Sequence, residues 1–381
     1  MSDSEPEGQI ARIAFIVPDV SSVLHEYNAL AVAIRSNGHQ VRCFASSQSR
    51  EAVVQLDKQG IYCTEFALVP EGFAVFPERK AISELATLLN EWNPTHVLAV
   101  GGIELTHGIL ATRKLNKPFV VAVIELLPVF SARGKNDEIE TRPSASSFKR
   151  ALELADRVFC LNEKTPKQLR LHVPLKDFSK ISVSPRCGTD LNEFQVAELP
   201  GHEDGVVFHL DCPLARRYGV LEYCAAAKLV KERYGEAKFV LSGPPGKFDD
   251  AISLDLLEPY ADIVTYAGIR ALTRDDLAKC HVFVSLSRDE TLSLTCMRAL
   301  SIGRPLIAAD TPSGREFVDE RVNGCVVDPS DVDDIASSMM SFLRRRDLLP
   351  AMARASRQKA MHKLDQHSLV AKLLPALRIS N

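Results

Sequence analysis

Short apolar, β-branched runs alternate along the chain with longer stretches in which apolar residues recur at helical spacing. Ala11 to Val17 is the first such run and predicts a buried strand. A helical pattern follows from about Ser22 to Ser36, with Asn37-Gly38 as its stop. Val41 to Ala45, His96 to Val100, Phe119 to Ile124 and Arg157 to Leu161 repeat the strand signal. Apolar runs without polar alternation, separated by helices, predict a parallel sheet covered on both faces. The pattern then restarts. Val206 to Leu210, Lys238 to Ser242, Ile263 to Tyr266, Val282 to Leu286 and Pro305 to Ala308 are strand candidates with helices between them. The break falls in Glu198-Leu-Pro-Gly-His-Glu-Asp204, a short polar stretch that reads as a linker. The expected fold class is α/β, with two doubly wound halves over 1–195 and 205–362. Such sheets bind ligands at the carboxyl ends of their strands, which points to a cleft between the halves.

Composition adds exclusions. The 381 residues suit about two domains. Hydrophobic residues at 46% and charged residues at 25% exclude a disordered chain. Lys plus Arg is 46 and Asp plus Glu is 49, a net charge of −3, so no nucleic-acid partner is expected. No apolar run approaches the roughly 18–20 residues of a membrane span. The best candidate, Phe119 to Phe130, is interrupted by Glu125 and Pro128. The N-terminus is acidic and polar, unlike a signal or transit peptide. Nine cysteines are scattered singly, with no C-x-x-C pair, which predicts reduced thiols and a cytoplasmic location.

The candidate chemistry lies in the second half. The run F-V-L-S-G-P-P-G ends a strand in Ser242, Gly243 and Pro244, and glycine there lets a ligand approach the backbone. Val264 to Gly268 and Ile269 form another strand running into a glycine turn. Ser287-Arg-Asp-Glu290-Thr291-Leu292-Ser293-Leu294 leads into a helix expected over about Thr291 to Ser301. Free N–H groups at 291–294 would suit an anion such as a diphosphate. Glu290 stands where a carboxylate could accept hydrogen bonds from sugar hydroxyls; the plainer reading is a helix-capping acid.

This order of blocks resembles the retaining, nucleotide-sugar-dependent glycosyltransferases of the glycogen-synthase-like GT-B type, family 4. Ala155-Asp156-Arg157-Val158, Gly188-Thr189-Asp190-Leu-Asn-Glu-Phe194, Ser242-Gly243-Pro244, the Glu290 block, Gly303-Arg304-Pro305, Ser313-Gly314-Arg-Glu316 and Asn323-Gly324 to Pro329 carry the resemblance. Together they span about 155 to 330 in the right order. The resemblance implies two Rossmann-like domains with an interdomain cleft and the donor on the second domain. It also implies a final helix, within 363–381, crossing back to the first domain. It implies transfer of a sugar, with retention, from a nucleotide-sugar to a saccharide or lipid-linked acceptor in polysaccharide or glycoconjugate biosynthesis.

The chain departs from the family pattern at several places. A second Glu is usual eight residues after the first; here it is Arg298, which can only donate and could contact a phosphate. The usual Lys near the diphosphate falls on Tyr218, with Arg216 and Arg217 beside it. One of those two guanidinium groups could neutralise a leaving diphosphate. The usual Gly-Gly loop of the first domain is replaced by Pro18-Asp19-Val-Ser21-Ser22, and the usual His after the central strand gives way to Ile124 and Glu125. Gly101-Gly102, with Glu104 and His107 following, forms another strand-end loop facing the expected cleft. The candidate catalytic residues are thus Glu290, Arg216 and Arg217. Candidate donor-binding residues are Ser242, Gly243, Pro244, Ile269, Thr291 to Leu294 and Arg298. Asp19, Ser21, Ser22, Gly101, Gly102 and Glu125 form the first-domain side. No cofactor and no metal are expected. Basic residues between Lys164 and Lys180 and between Arg344 and Lys363 could meet an anionic membrane, though solvated helix faces are the plainer reading. Two other functions stay open: a divergent GT-B protein that binds a glycan or partner without transfer, and a nucleotide-sugar epimerase.

Overall fold

The computed structural model describes residues 10–68, 77–124, 143–162, 164–184, 188–201, 205–245, 250–269, 272–288 and 293–379. The chain forms two compact units. The first comprises 1–187 and 366–381, the second 188–365.

Among the described residues, the first unit holds a seven-stranded sheet. Its strands are β1 (Arg12–Asp19), β2 (Gln40–Ser47), β3 (Tyr62–Glu65), β4 (His96–Val100), β5 (Phe119–Ile124), β6 (Arg157–Cys160) and β7 (Ile181–Val183). Their order is β3-β2-β1-β4-β5-β6-β7, and every pairing is parallel. Ile13, Phe15 and Val17 pack on one face of β1 and Ala14 and Ile16 on the other, all fully buried. A strand covered on both faces has little place for a polar side chain, which is why its buried centre, Ile13 to Val17, is apolar. The helix expected over Ser22 to Ser36 is two helices, Val20–His25 and Asn28–Ser36. The C-terminal helix Gln366–Ala376 belongs to this unit: Leu369 and Leu373 lie in the same apolar cluster as Phe15 and Leu30.

The second unit holds a six-stranded parallel sheet. Its strands are β8 (Val207–Asp211), β9 (Lys238–Ser242), β10 (Val264–Tyr266), β11 (Val282–Ser285), β12 (Leu306–Ala309) and β13 (Gly324–Val327). They run in the order β10-β9-β8-β11-β12-β13. Phe208 and Leu210 face one core cluster, while Phe283, packed beside His209, faces the other.

Residues 188–195, expected with the first half, cluster with the second unit. Two arginines explain this. Arg357 donates to the carbonyls of Phe194 (2.9 Å), Leu191 (3.3 Å) and Ser301 (2.7 Å). Arg304 is fully buried and donates to the carbonyls of Ala197 (3.0 Å), Glu198 (2.7 Å) and Ala278 (3.1 Å). A guanidinium cannot shed its charge, so a buried one needs such acceptors, and these fasten the 191–198 segment to the second sheet.

Candidate active site

In each sheet the strand order reverses once, between β1 and β4 and between β8 and β11. The loops leaving those paired strands diverge and open a crevice at their carboxyl ends. The second unit has a cavity of about 340 Å³ at its reversal point. Asp211 to Pro213 leave β8, Ser285 to Ser287 leave β11, and Gly243 and Pro244 leave β9 to line it. Tyr218, Ser293 and Thr295 complete its polar rim.

Beneath the cavity lies a hydrogen-bonded chain. The Ser242 hydroxyl donates to Asp211 Oδ1 at 2.6 Å. His209 Nε2 lies 2.8 Å from the same hydroxyl oxygen. The single serine hydrogen goes to the carboxylate, so the imidazole donates to Ser242. Burial raises the Asp211 carboxyl above its ordinary value, opposed by hydrogen bonds from Ser242 and Thr295. Burial also raises the neighbouring Cys212 thiol, and the Asp211 charge adds to it. Gly243 adopts φ +131°, and a Cβ there would stand 1.9 Å from the Cys212 carbonyl oxygen. Its carbonyl accepts from the Tyr266 hydroxyl (2.7 Å) and its N–H donates to Gly268 O (3.1 Å). The glycine therefore lets β9 and β8 end in contact.

The residues expected from sequence fall into three groups. Gly243, Pro244 and Ser293 line the cavity, and Ser242 is buried directly below it. Glu290, Thr291, Leu292 and Glu125 lie outside the described residues. The others sit apart from the cavity lining. Arg217 pairs with Asp250 through Nε at 3.0 Å, and its backbone N–H donates to the same carboxylate. This holds the Asp250 carboxyl below its ordinary value. Arg216 is exposed, and Ile269 is 66% exposed. The helix begins at Leu294, a turn later than expected, because Ser293 is its N-cap and accepts from Cys296 N–H at 3.1 Å. Leu294 packs against an apolar cluster instead. Arg298, expected at the donor, has its guanidinium over the Phe194 ring, 4.7 Å from the centroid. Burial lowers its pKa, opposed by the Glu193 charge.

Sequence reasoning missed Asp211 and Thr295. The acid was detectable as the polar residue ending an apolar strand. The string Asp331-Val332-Asp333 has the D-x-D form of a metal motif. Asp331 is a helix N-cap, accepting from the N–H groups of Asp333 (2.9 Å) and Asp334 (3.1 Å).

In the first unit, Asp19 caps the helix Val20–His25, accepting from Ser21 N–H at 2.7 Å, while the Ser22 carbonyl accepts from Glu26 N–H. Burial raises the Asp19 carboxyl, but hydrogen bonds from Ser21 and Ser47 outweigh it and leave the group below its ordinary value. Gly102 precedes the helix Ile103–Ala111, and Gly101 has φ +97°. A Cβ on Gly101 would meet Pro18 at 3.0 Å and Glu104 Oε2 at 3.3 Å. Glu104 is buried beneath this loop, within 3.0 Å of the Ser46 hydroxyl. His107 is buried, and burial lowers its pKa. Of the basic stretches, Arg170 lies over Phe178, Lys180 donates to the carbonyls of Glu153 and Ala155, and Arg346 pairs with Glu236. No described helix is long and apolar enough to cross a membrane.

Two doubly wound parallel domains, the second with a cavity at its reversal point, define the GT-B class of fold. Solved structures share it over nearly the whole chain. Anabaena HepE in complex with UDP is 15% identical, with a TM-score of 0.75, covering 96% of this chain and 99% of that one. A glycosyltransferase from Rickettsia africae is 15% identical, with a TM-score of 0.73, covering 97% and 98%. Residues 206–345 match the family model for glycosyl transferases group 1. The chain is 22% identical over 362 residues to the N,N'-diacetylbacillosaminyl-diphospho-undecaprenol alpha-1,3-N-acetylgalactosaminyltransferase of Campylobacter jejuni, covering 92% of this chain and 94% of that protein. It is 24% identical over 329 residues to the sulfoquinovosyl transferase of Arabidopsis thaliana, covering 82% of this chain and 60% of that protein. The chain has the GT-B fold and over residues 206–345 is similar to the glycosyl transferases of group 1.

Proposed function

We propose that the chain moves a hexose from a nucleotide-sugar, held by the second unit, to a saccharide or lipid-linked acceptor, with retention at the anomeric carbon and without a metal. The observation that carries this reading is the cavity at the β8/β11 reversal point, which falls within the segment matching group 1. The UDP bound to HepE supports a nucleotide-sugar donor, and the undecaprenol-linked acceptor in the Campylobacter name supports a lipid-linked one. In the reaction, the bond from the anomeric carbon to the diphosphate oxygen breaks. The bond to the acceptor oxygen forms on the same face, and the acceptor's proton passes to the leaving diphosphate. Glu290 accepts hydrogen bonds from the sugar hydroxyls as the ring flattens, and Arg216 or Arg217 balances the charge on the leaving group.

The test is turnover of uridine, guanosine and adenosine diphosphate sugars by the purified chain, with the product anomer read by NMR. Glu290→Ala should lower turnover on the order of 100-fold with an unchanged melting temperature. Loss of the fold with no selective loss of turnover would show that Glu290 serves the fold rather than the donor. A second reading, a binding protein without transfer, is favoured by Tyr218 on the cavity wall and Arg298 over Phe194. Turnover of any donor sinks it.

A further inference from the structure

The described lining of the cavity contains one ionisable carboxyl, Asp211, and no Lys, Arg or His. That is an unfavourable wall for phosphate, since a carboxylate only accepts hydrogen bonds and repels an anion. It suits hydroxyl donors.

Three neighbouring groups fix where Asp211 points. His209 supports Ser242, Ser242 donates to Asp211 Oδ1, and the Thr295 hydroxyl donates to the carboxyl from the first turn of Leu294–Ser301. These partners orient the carboxyl without neutralising it, because the side-chain donors that reach it among the described residues are hydroxyls. A carboxylate has about four lone-pair sites, and two hydroxyls leave about half of them for the cavity. A half-buried acid with no cation paired to it among the described residues costs stability, and such groups concentrate where a ligand needs them.

Resting on the donor reading above, we infer that Asp211 is a specificity-determining residue: it accepts hydrogen bonds from a hydroxyl pair on a sugar ring of the nucleotide-sugar, and it keeps the diphosphate off this wall. The ring is either the ribose or the transferred sugar. The chemistry is the same for both, and the ligands can be chosen to separate them.

The experiment is calorimetric titration of the full chain and of Asp211→Asn. The ligands are uridine, guanosine and adenosine diphosphates, their 2′,3′-dideoxy forms and their glucose-bearing forms. Losing a charge-assisted hydrogen bond should weaken binding about 10- to 150-fold. If Asp211 holds the ribose, wild type prefers the diphosphate to its dideoxy form by such a factor, and Asp211→Asn loses that preference. If it holds the transferred sugar, Asp211→Asn weakens only the glucose-bearing ligand. A purely structural role would weaken all ligands alike and leave both preferences intact, which overturns the inference, as does unchanged affinity for every ligand. The wild-type measurements stand even if Asp211→Asn fails to fold: wild type that gains nothing from ribose hydroxyls or from the added sugar also overturns it. Wild type that binds no nucleotide at all refutes the donor reading itself, a separate outcome.

Discussion

Arg298→Glu separates two accounts of the donor site. Spacing from Glu290 puts Arg298 among the donor-binding residues; the structure puts its guanidinium over the Phe194 ring at 4.7 Å. A partly desolvated cation on an aromatic face contributes about 0.5–2 kcal/mol. A carboxylate there loses that attraction, meets the electron-rich ring face and adds a like charge near Glu193. The expected destabilisation is about 2 kcal/mol, or about 4–8 °C in the melting temperature for a unit of this size. Differential scanning calorimetry measures it, and isothermal titration with nucleotide-sugars gives the affinity, which should not change. Phe194→Leu should lose a similar amount, and the double variant should lose less than the sum, because the two residues share one contact. An unchanged melting temperature with donor affinity weakened about tenfold or more would return Arg298 to the diphosphate and refute this reasoning.

Two further outcomes test the strand-end loops. Burial raises the Glu104 carboxyl above its ordinary 4.5, opposed by its own backbone and by Ser46. The stability this contributes is therefore present in acid, below 4.5, and lost as pH rises through the raised value. Glu104→Gln keeps the shape without the charge. It should melt no lower than wild type at pH 7, with any advantage shrinking as pH falls toward 4.5; a clear loss at pH 7 refutes the burial argument. Gly243→Ala must hold a side chain at φ +131° against the Cys212 carbonyl, a strain of about 1–2 kcal/mol before the clash. The β8 and β9 ends must then part, and donor affinity should fall on the order of tenfold or more by titration, a result that unchanged binding would contradict.

The central strands were legible because both faces are covered: β1, β4, β5, β8 and β11 each carry a largely buried apolar run. The edge strands β3 and β7 were not, since Tyr62–Glu65 and Ile181–Val183 have no fully buried residue and hence no continuous apolar run. The unit boundary falls a few residues earlier than expected because Arg304 and Arg357 reach the segment from as far as 107 and 166 positions away, and no local pattern records such bonds. The surroundings of Arg298 were hidden for a related reason. Its place was taken from the spacing to Glu290 in the family pattern, and that spacing does not record the Phe194 ring it lies over.

The two reversal points carry the same chemistry with opposite exposure. In the first unit a serine at the end of β2, Ser46, meets a carboxyl that follows β4, Glu104, at 3.0 Å. In the second a serine at the end of β9, Ser242, meets a carboxyl at the end of β8, Asp211, at 2.6 Å. Parallel strands put all such ends on one edge of a sheet, so the place is dictated by strand order, while the residue there is free of the core's demand for apolar side chains. What separates the two acids is access. Glu104 is 7% exposed and lies beneath Gly101 and Pro18. Asp211 forms part of a cavity wall. Neutralising the first should be tolerated or stabilising and should not affect donor binding; neutralising the second should change which ligand hydroxyls are recognised. If Glu104→Gln altered the preference for ribose or glucose hydroxyls while Asp211→Asn did not, access would have been the wrong criterion, and the acid of the first unit would be the one that binds a sugar.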